Sequence, residues 1–397
     1  MVKSKLMISV NHAKKLISER TSQSQPVDIP IQNATGFITA RDVTSPIDVP
    51  PFDNSAMDGY AIKLNKDNYV YRITHIVQAG ETRHLKIGDG EAARVFTGAP
   101  IPDGADTVVQ QELSERNDDF VKLNLSEIDK GEHIRLRGAQ SKSGTTILQK
   151  GTLISPGTVG LLASVGIQAV SVYSSPVVSV VITGNELTPP GSELDHGLIY
   201  ESNSPALVSY LKYLGVHNIN VFHAPDEKEW LKKKISECLD NSDILLLTGG
   251  VSVGDYDFVH EILNEIGIER LFHKVKQRPG KPLYVGKLNS KWVFGLPGNP
   301  ASVISCFNQY VKPCIKANMG FTRVWEPDAR LPLENRYTKK PGLTFFLKAS
   351  TVNDKIVVPD GQQSFNMLPF GAANGLAEIP EEIEMVEPGS IVNFYKW

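Results

Sequence analysis

Hydrophobic patterning divides the chain into stretches with different grammars. Between residues 176 and 320, short apolar runs alternate with helical repeats. "PVVSVVITG", "VHNINVF", "DILLLTGG", "IERLFHKV", "KPLYVGKL" and "WVFGLP" read as strands. "NSPALVSYLKYLG", "DEKEWLKKKISECLDN", "DFVHEILNEIG" and "NPASVISCFNQYV" read as helices, the first capped by Asn203 and stopped at Gly215. Strands that are apolar along their length, spaced by helices, predict a mostly parallel sheet covered on both faces. Residues 51–140 read differently. "YVYRITHIVQAGE", "GEAARVFTGAPIP", "ADTVVQQE" and "DFVKLNLSE" run apolar or alternate between Gly, Asp and Asn breaks, which predicts a small, mostly β domain. Residues 21–50 and 141–175 carry short strands, turns and one short helix, and read as a linker subdomain into which 51–140 is inserted. Residues 1–20 form an amphipathic helix expected to pack on the linker or the α/β domain, and residues 321–397 a C-terminal β domain. The expected fold class is α/β plus β, multi-domain, with mainly β domains on either side of the α/β core.

Composition narrows the function classes. A net charge of -3 over 397 residues gives no reason to expect nucleic acid as the partner. The three cysteines, Cys238, Cys306 and Cys314, form no CxxC pair, which argues against a disulfide framework or a cysteine zinc site and for a reducing, cytoplasmic setting. The N-terminal run lacks the apolar core of a signal peptide, and no window approaches the ~20 apolar residues of a membrane span.

In an open α/β sheet, ligands bind beyond the carboxyl ends of the strands. Four polar, Gly- or Pro-rich loops fall there: "TGNELTPPG", "TGGVSVGDYD", "KVKQRPGKP" and "GLPGNPAS". In the second, Gly249, Gly250 and Gly254 let a backbone approach a phosphate, and Asp255 and Asp257 could hold a divalent cation; a tight turn capped by Asp257 is the plainer alternative. In the third, Lys274, Lys276, Arg278 and Lys281 surround a Pro-Gly turn, as a clamp for a multiply charged oxyanion or as a solvated basic edge. Alternation would put Lys274 and Lys276 on one face and Val275 on the other. Glu186 lies just past a buried strand. Asn299 and Ser302 open a helix whose start, with Pro300 at its first position, needs no ligand to explain it. At a domain junction, "PPFDNSAMDGYAI" cannot be helical; either Asp58 simply turns the chain or Asp53, Asn54, Ser55 and Asp58 face a ligand on another domain or subunit. "FTGAPIPDGADTVV", with Thr97 and Gly98, has the same character. The nine histidines show no metal-ligand spacing.

"FDNSAMDGYA", "FTGAPIPDGADTVV", "TGGVSVGDYD", "RPGKP" and "GLPGNPAS", in this order and at these separations, resemble the molybdopterin molybdenumtransferases, the family of MoeA and of the gephyrin E domain, over nearly the whole chain. The resemblance implies an elongated homodimer with a MogA-like central domain. It implies insertion of molybdate, or tungstate, into adenylylated molybdopterin, with a divalent cation, usually Mg²⁺, and release of AMP. The site would be shared between the α/β domain of one subunit and the β domain of the other. The catalytic set carried over is Asp58, Glu186, Asp257, Lys274 and Arg278. Substrate contacts fall to Thr97, Gly249, Gly250, Ser252, Lys281, Pro297, Asn299 and Asp226, and the cation to Glu186 and Asp257. Three positions depart from the family text: Asn185 stands where an Asp is commoner, Arg278 where Lys is frequent, and Ser364 is offset within "GQQSFNMLPFGAANGL". The alternatives are a molybdopterin adenylyltransferase, built on a similar α/β domain, and a non-catalytic dimeric scaffold of the gephyrin E type.

Overall fold

The computed structural model describes residues 7–225, 227–250 and 259–397, so Asp226, Ser252, Asp255 and Asp257 lie outside the described residues. Two compact units divide the chain: residues 28–35 with 39–171, and residues 1–27, 36–38 and 172–397.

The larger unit contains a six-stranded sheet in the order Ile219–Ala224, Val178–Thr183, Ile244–Thr248, Lys291–Leu296, Tyr284–Leu288, Glu269–His273. The first four strands are parallel. Tyr284–Leu288 runs against both neighbours. The cause is local: Leu288 pairs with Lys291, and the two residues between them, with Asn289 at φ 56°, can join only antiparallel strands. Glu269–His273 therefore returns to the common direction, and all four expected loops leave the same edge. Both faces are buried, as the uninterrupted apolar strands require. Val178, Val180, Ile182 and Leu246 enter one core, and Val181, Leu245 and Leu247 another.

The helix Val10–Ser18 starts at Ser9, whose Oγ accepts from the His12 N–H at 3.2 Å. Its i, i+3, i+7 residues Val10, Ala13 and Ile17 join the core of the α/β part. Lys14 is drawn in with them. Its Nζ lies 4.2 Å from the centre of the Tyr395 ring. Burial pushes the ammonium down to about 8, with the Glu378 carboxylate pulling the other way.

The C-terminal β part orders its main sheet Gln277–Arg278, Thr344–Val352, Gly375–Ile379, Ile391–Lys396, Ala329–Pro332 around Leu347, Ala349, Ile379 and Phe394. Its first strand is contributed by the loop that follows Glu269–His273. In the smaller unit, a six-stranded sheet runs Thr107–Gln110, Gly59–Ile62, Glu91–Val95, Val70–Val77, Phe120–Leu123, Ser114–Asn117. Alternation along Gly59–Ile62 sends Tyr60 and Ile62 to one cluster and Ala61 to the other. A short ladder outside that sheet pairs Val43–Thr44 with Thr146–Leu148. All three cysteines are buried thiols, and no helix of the described residues is long and apolar enough to cross a membrane.

Lys14 gives a signed pH dependence. Its folded value lies below that of a free lysine, so between about pH 8 and pH 10 the unfolded chain holds the proton and the folded chain does not. Stability therefore rises with pH across that window, and Lys14→Met removes the rise; urea midpoints measured at pH 7, 8, 9 and 10 for both proteins check it.

Candidate active site

The carboxyl edge of the α/β sheet is built on close backbone approach. Gly249 follows Ile244–Thr248 at φ 88°, and a Cβ there would lie 2.2 Å from the Thr183 carbonyl oxygen. Gly250, at φ 59°, would put a Cβ 3.2 Å from Thr183 Oγ1. Glycine is thus required where two strand-end loops touch. Gly184 sits in the same position relative to Glu186, whose Oε2 a Cβ would meet at 2.8 Å. The Glu186 carboxylate is exposed at this edge, and its carbonyl accepts from the Ile199 N–H at 2.9 Å.

Asn203 departs from the sequence reading. The cap position is Ser202, without a side-chain bond, and Asn203 is the first helical residue, buried. Its Nδ2 donates to Thr248 Oγ1 and to the Gly298 carbonyl, both at 2.9 Å, tying the glycine loop to the "GLPGNPAS" loop. Glu201 takes over the capping, accepting from Ser204 N–H at 2.8 Å and Ser204 Oγ at 2.5 Å. Asn299 holds the N-cap position of Pro300–Cys306, yet its side chain makes no capping bond. Asn299 Oδ1, Asn203 Oδ1 and Thr183 Oγ1 are buried atoms without a hydrogen-bond partner among the described residues. Such atoms are rare and costly, and three of them line the loops of one sheet edge. Pro297 and Ser302 are buried beside them.

The basic loop divides between two places. Lys274 follows the strand Glu269–His273 at φ 81°, a left-handed conformation that costs about 1 kcal/mol for a residue with a Cβ. It is pinned by the Ile8 N–H to its carbonyl at 3.3 Å and by its own N–H to Leu283 O at 3.2 Å. Val275 is fully buried, as the alternation required. Lys276 is not a free cation, since its Nζ lies 2.7 Å from Glu381 Oε1. Gln277 and Arg278 pair in parallel with Thr344 and Phe345. Arg278 lies over the Phe345 ring at 5.4 Å and lines a cleft of about 530 Å³ with Tyr337, Lys339, Lys340 and Gln363. Lys281 is exposed. The turn between them is fixed by residues that sequence reasoning missed: Gln277 Nε2 donates to Gly280 O at 3.0 Å, Tyr310 donates to Gln277 Oε1, and a Cβ on Gly280 would lie 2.4 Å from Cys306 Sγ.

In the smaller unit, two separate motifs meet. Asp58 Oδ1 accepts from both the N–H and the hydroxyl of Thr97, each at 2.8 Å. These bonds, the backbone one first, hold the carboxyl below its ordinary value against the opposing effect of burial, and the Arg94 charge adds a weaker pull. Ser55, one of the groups that could have faced a ligand, is fully buried and donates to the Met57 carbonyl at 2.6 Å. Asp53 Oδ1 accepts from the Arg137 N–H at 2.7 Å. Gly59 abuts Val109, where a Cβ would lie 2.1 Å from the carbonyl oxygen.

Among the described residues, no three His, Cys, Asp or Glu side chains come together as a ready metal site. The oxygen donors at the sheet edge, the Glu186 carboxylate and the unpartnered Thr183 hydroxyl, are of the hard type that suits Mg²⁺. The predicted residues Asp226, Ser252 and Asp257 cannot be placed against this edge, because they lie outside the described residues.

Three family models match the chain in order. They are the MoeA N-terminal region (domain I and II) over residues 8–166, the probable molybdopterin binding domain over 179–317, and the MoeA C-terminal region (domain IV) over 330–397. The molybdopterin molybdenumtransferase of Staphylococcus aureus (strain COL) is 32% identical over 385 residues, covering 94% of this chain and 91% of that protein. Molybdopterin molybdenumtransferase 2 of Mycobacterium tuberculosis (strain ATCC 25618 / H37Rv) is 30% identical over 400 residues, covering 97% and 98%. The crystal structure of a Pyrococcus horikoshii molybdopterin biosynthesis MoeA protein superposes with a TM-score of 0.83 at 31% identity, over 98% of this chain and 99% of that one.

Thr97→Val removes one of the two hydrogen bonds to Asp58 and returns its carboxyl toward the ordinary range. Carboxyl titration by NMR checks this; an Asp58 value unmoved by the substitution contradicts the geometry.

Proposed function

The chain belongs to the MoeA family of molybdopterin molybdenumtransferases, enzymes of molybdenum cofactor biosynthesis, and from that premise we propose that it inserts molybdate into adenylylated molybdopterin and releases AMP. The observation that carries this reading is the sheet edge where Gly249 and Gly250 press on Thr183 and three buried polar atoms lack partners. Backbone N–H groups there suit the phosphates of a dinucleotide-like pterin adenylate. The unpartnered Asn203, Asn299 and Thr183 oxygens suit the donor groups of a bound ligand.

In this reading Glu186, with Asp257, would hold a Mg²⁺ ion, which when bound neutralises charge on the phosphoanhydride oxygens. Lys274 is held at the end of its strand where a polyanion would sit, and its constrained backbone limits how far the ammonium can wander. Arg278 and Lys281 attract the tetrahedral dianion, molybdate or tungstate, toward the cleft beside the C-terminal sheet. One phosphoanhydride P–O bond breaks as the oxygen of a water completes the AMP phosphate, and the two pterin thiols form bonds to molybdenum while the oxyanion gives up one oxygen, which leaves as water with the two thiol protons. Asp58, held in place by the two Thr97 hydrogen bonds, acts from the smaller unit of a second copy, and the working form is a homodimer with a shared site. Three buried free thiols suit a cytoplasmic location. An adenylyltransferase would use the α/β part alone and leave the matched N- and C-terminal regions unexplained.

Purified protein given adenylylated molybdopterin, molybdate and Mg²⁺ is expected to form AMP and active cofactor. Asp58→Ala lowers turnover by about 10²-fold or more while the gel-filtration volume stays that of the dimer. Absence of AMP from the parent protein sinks the reaction assigned here; dissociation of Asp58→Ala would move Asp58 from the site to the interface.

A further inference from the structure

We propose that Arg94 is the positioning residue that holds Asp58 and Thr97 in one geometry. The inference deepens the reading in which Asp58 serves the reaction, and it rests on that reading. Asp58 and Thr97 lie just beyond the facing ends of two antiparallel strands, Gly59–Ile62 and Glu91–Val95, where Gly59 pairs with Val95 and Tyr60 with Arg94. Neither residue is inside the ladder. Their two-bond contact therefore depends on what keeps the strand ends together.

Arg94 ties those ends. Its Nη1 donates to the Gly59 carbonyl at 2.8 Å and to the Val95 carbonyl at 3.3 Å, one acceptor on each strand. Its Nη2 donates to Gln111 Oε1 at 2.5 Å. Gln111 in turn donates its N–H to the Asp58 carbonyl at 3.0 Å. Gln111 follows Thr107–Gln110, the strand on the other side of Gly59–Ile62. One guanidinium thus links three strand ends, holding the Gly59 carbonyl directly and the Asp58 carbonyl through a single residue.

The guanidinium is itself held. Its central carbon lies 5.2 Å from the centre of the Tyr60 ring and 4.9 Å from that of Phe96, the residue before Thr97. Tyr60 is buried, so the ring is a fixed wall. Charge is the smaller part of what Arg94 supplies, since its pull on the Asp58 carboxyl is weaker than either Thr97 hydrogen bond. The larger part is the planar fork, which serves two backbone carbonyls and a side-chain amide at once. A lysine keeps the charge, but its compact ammonium does not reproduce that fork. Without the fork, Asp58 and Thr97 stay bonded to each other and shift together, and a misplacement of about 1 Å can cost about 10²-fold in rate.

The test uses full-length protein labelled with ¹⁵N-threonine, together with steady-state AMP formation from adenylylated molybdopterin, molybdate and Mg²⁺. In Arg94→Lys the Thr97 amide is expected to exchange about tenfold faster, while those of Thr74 and Thr107, in the same sheet, exchange as in the parent. Its kcat should fall about tenfold with the KM for the pterin adenylate within about threefold, the pattern of lost positioning rather than lost binding. Gln111→Met, which breaks the link to the Asp58 carbonyl side without touching the charge, should lower kcat about threefold, and the double variant should be no slower than Arg94→Lys within about twofold, because both remove one connection. Gln111 is exposed, so Gln111→Met decides the matter if Arg94→Lys does not fold. Parent kcat in Arg94→Lys, or unchanged Thr97 exchange, overturns the proposal. So does equal acceleration at Thr74 and Thr107, which would make Arg94 a stabiliser of the sheet alone, or single-variant effects that multiply. Exchange is read without turnover: a parent that forms no AMP sinks the reaction assigned to Asp58, whereas the Thr97 amide still decides whether Arg94 holds the pair.

Discussion

Two backbones at the edge of the α/β sheet come closer than any side chain would allow, and the rest of the site depends on that contact. Gly249 and Thr183 belong to neighbouring parallel strands whose ends would normally diverge with the sheet twist. The missing Cβ lets the glycine loop fold back over Thr183. The Asn203 amide then bridges from Thr248 to Gly298 and draws in the loop that opens the next helix. What results is an edge of backbone amides and buried polar atoms whose hydrogen-bonding capacity is not exhausted among the described residues. A fold selected for stability alone would fill those valences.

The basic loop adds a second constraint. A run of four cations within eight residues reads as one patch, but the chain spends them separately. Lys276 is consumed by Glu381, Arg278 is laid across Phe345, and Lys274 remains at the sheet edge in a conformation that few non-glycine residues adopt. Gln277, invisible to any charge count, is the buried residue that fixes the turn between them. In the smaller unit the Asp58–Thr97 pair shows the same economy, one acceptor oxygen taking two donors.

Much of the architecture was legible in the residues. The apolar strands between 176 and 296 can only be buried on both faces, so their sheet and its ligand edge followed from pattern and topology rules. The reversed strand Tyr284–Leu288 was marked by the two-residue turn after it, a signal present but not read. The side-chain roles were harder. Asn203 looks like a cap because Asn usually is one; its inward turn depends on Gly298, which is 95 residues away. Ser55 and Lys276 each stood between a ligand role and a plainer one; Ser55 is satisfied two residues on by Met57, and Lys276 by Glu381, a partner that local sequence does not reveal. Motif order identified the family, whereas pairwise satisfaction of donors and acceptors is decided only in three dimensions.

The short strand Gln277–Arg278 starts from one sheet and is completed by another, and this has a consequence for how the chain can be dissected. Severing the polypeptide near residue 320 would not liberate an autonomous α/β module. It would take away the ladder partners Thr344 and Phe345 and orphan the Lys276 ammonium. It would also strip Lys14 of the Phe346 and Tyr395 rings that its ammonium lies over. The two halves of this unit are welded rather than strung together, so evolution could not have exchanged one without refitting the other.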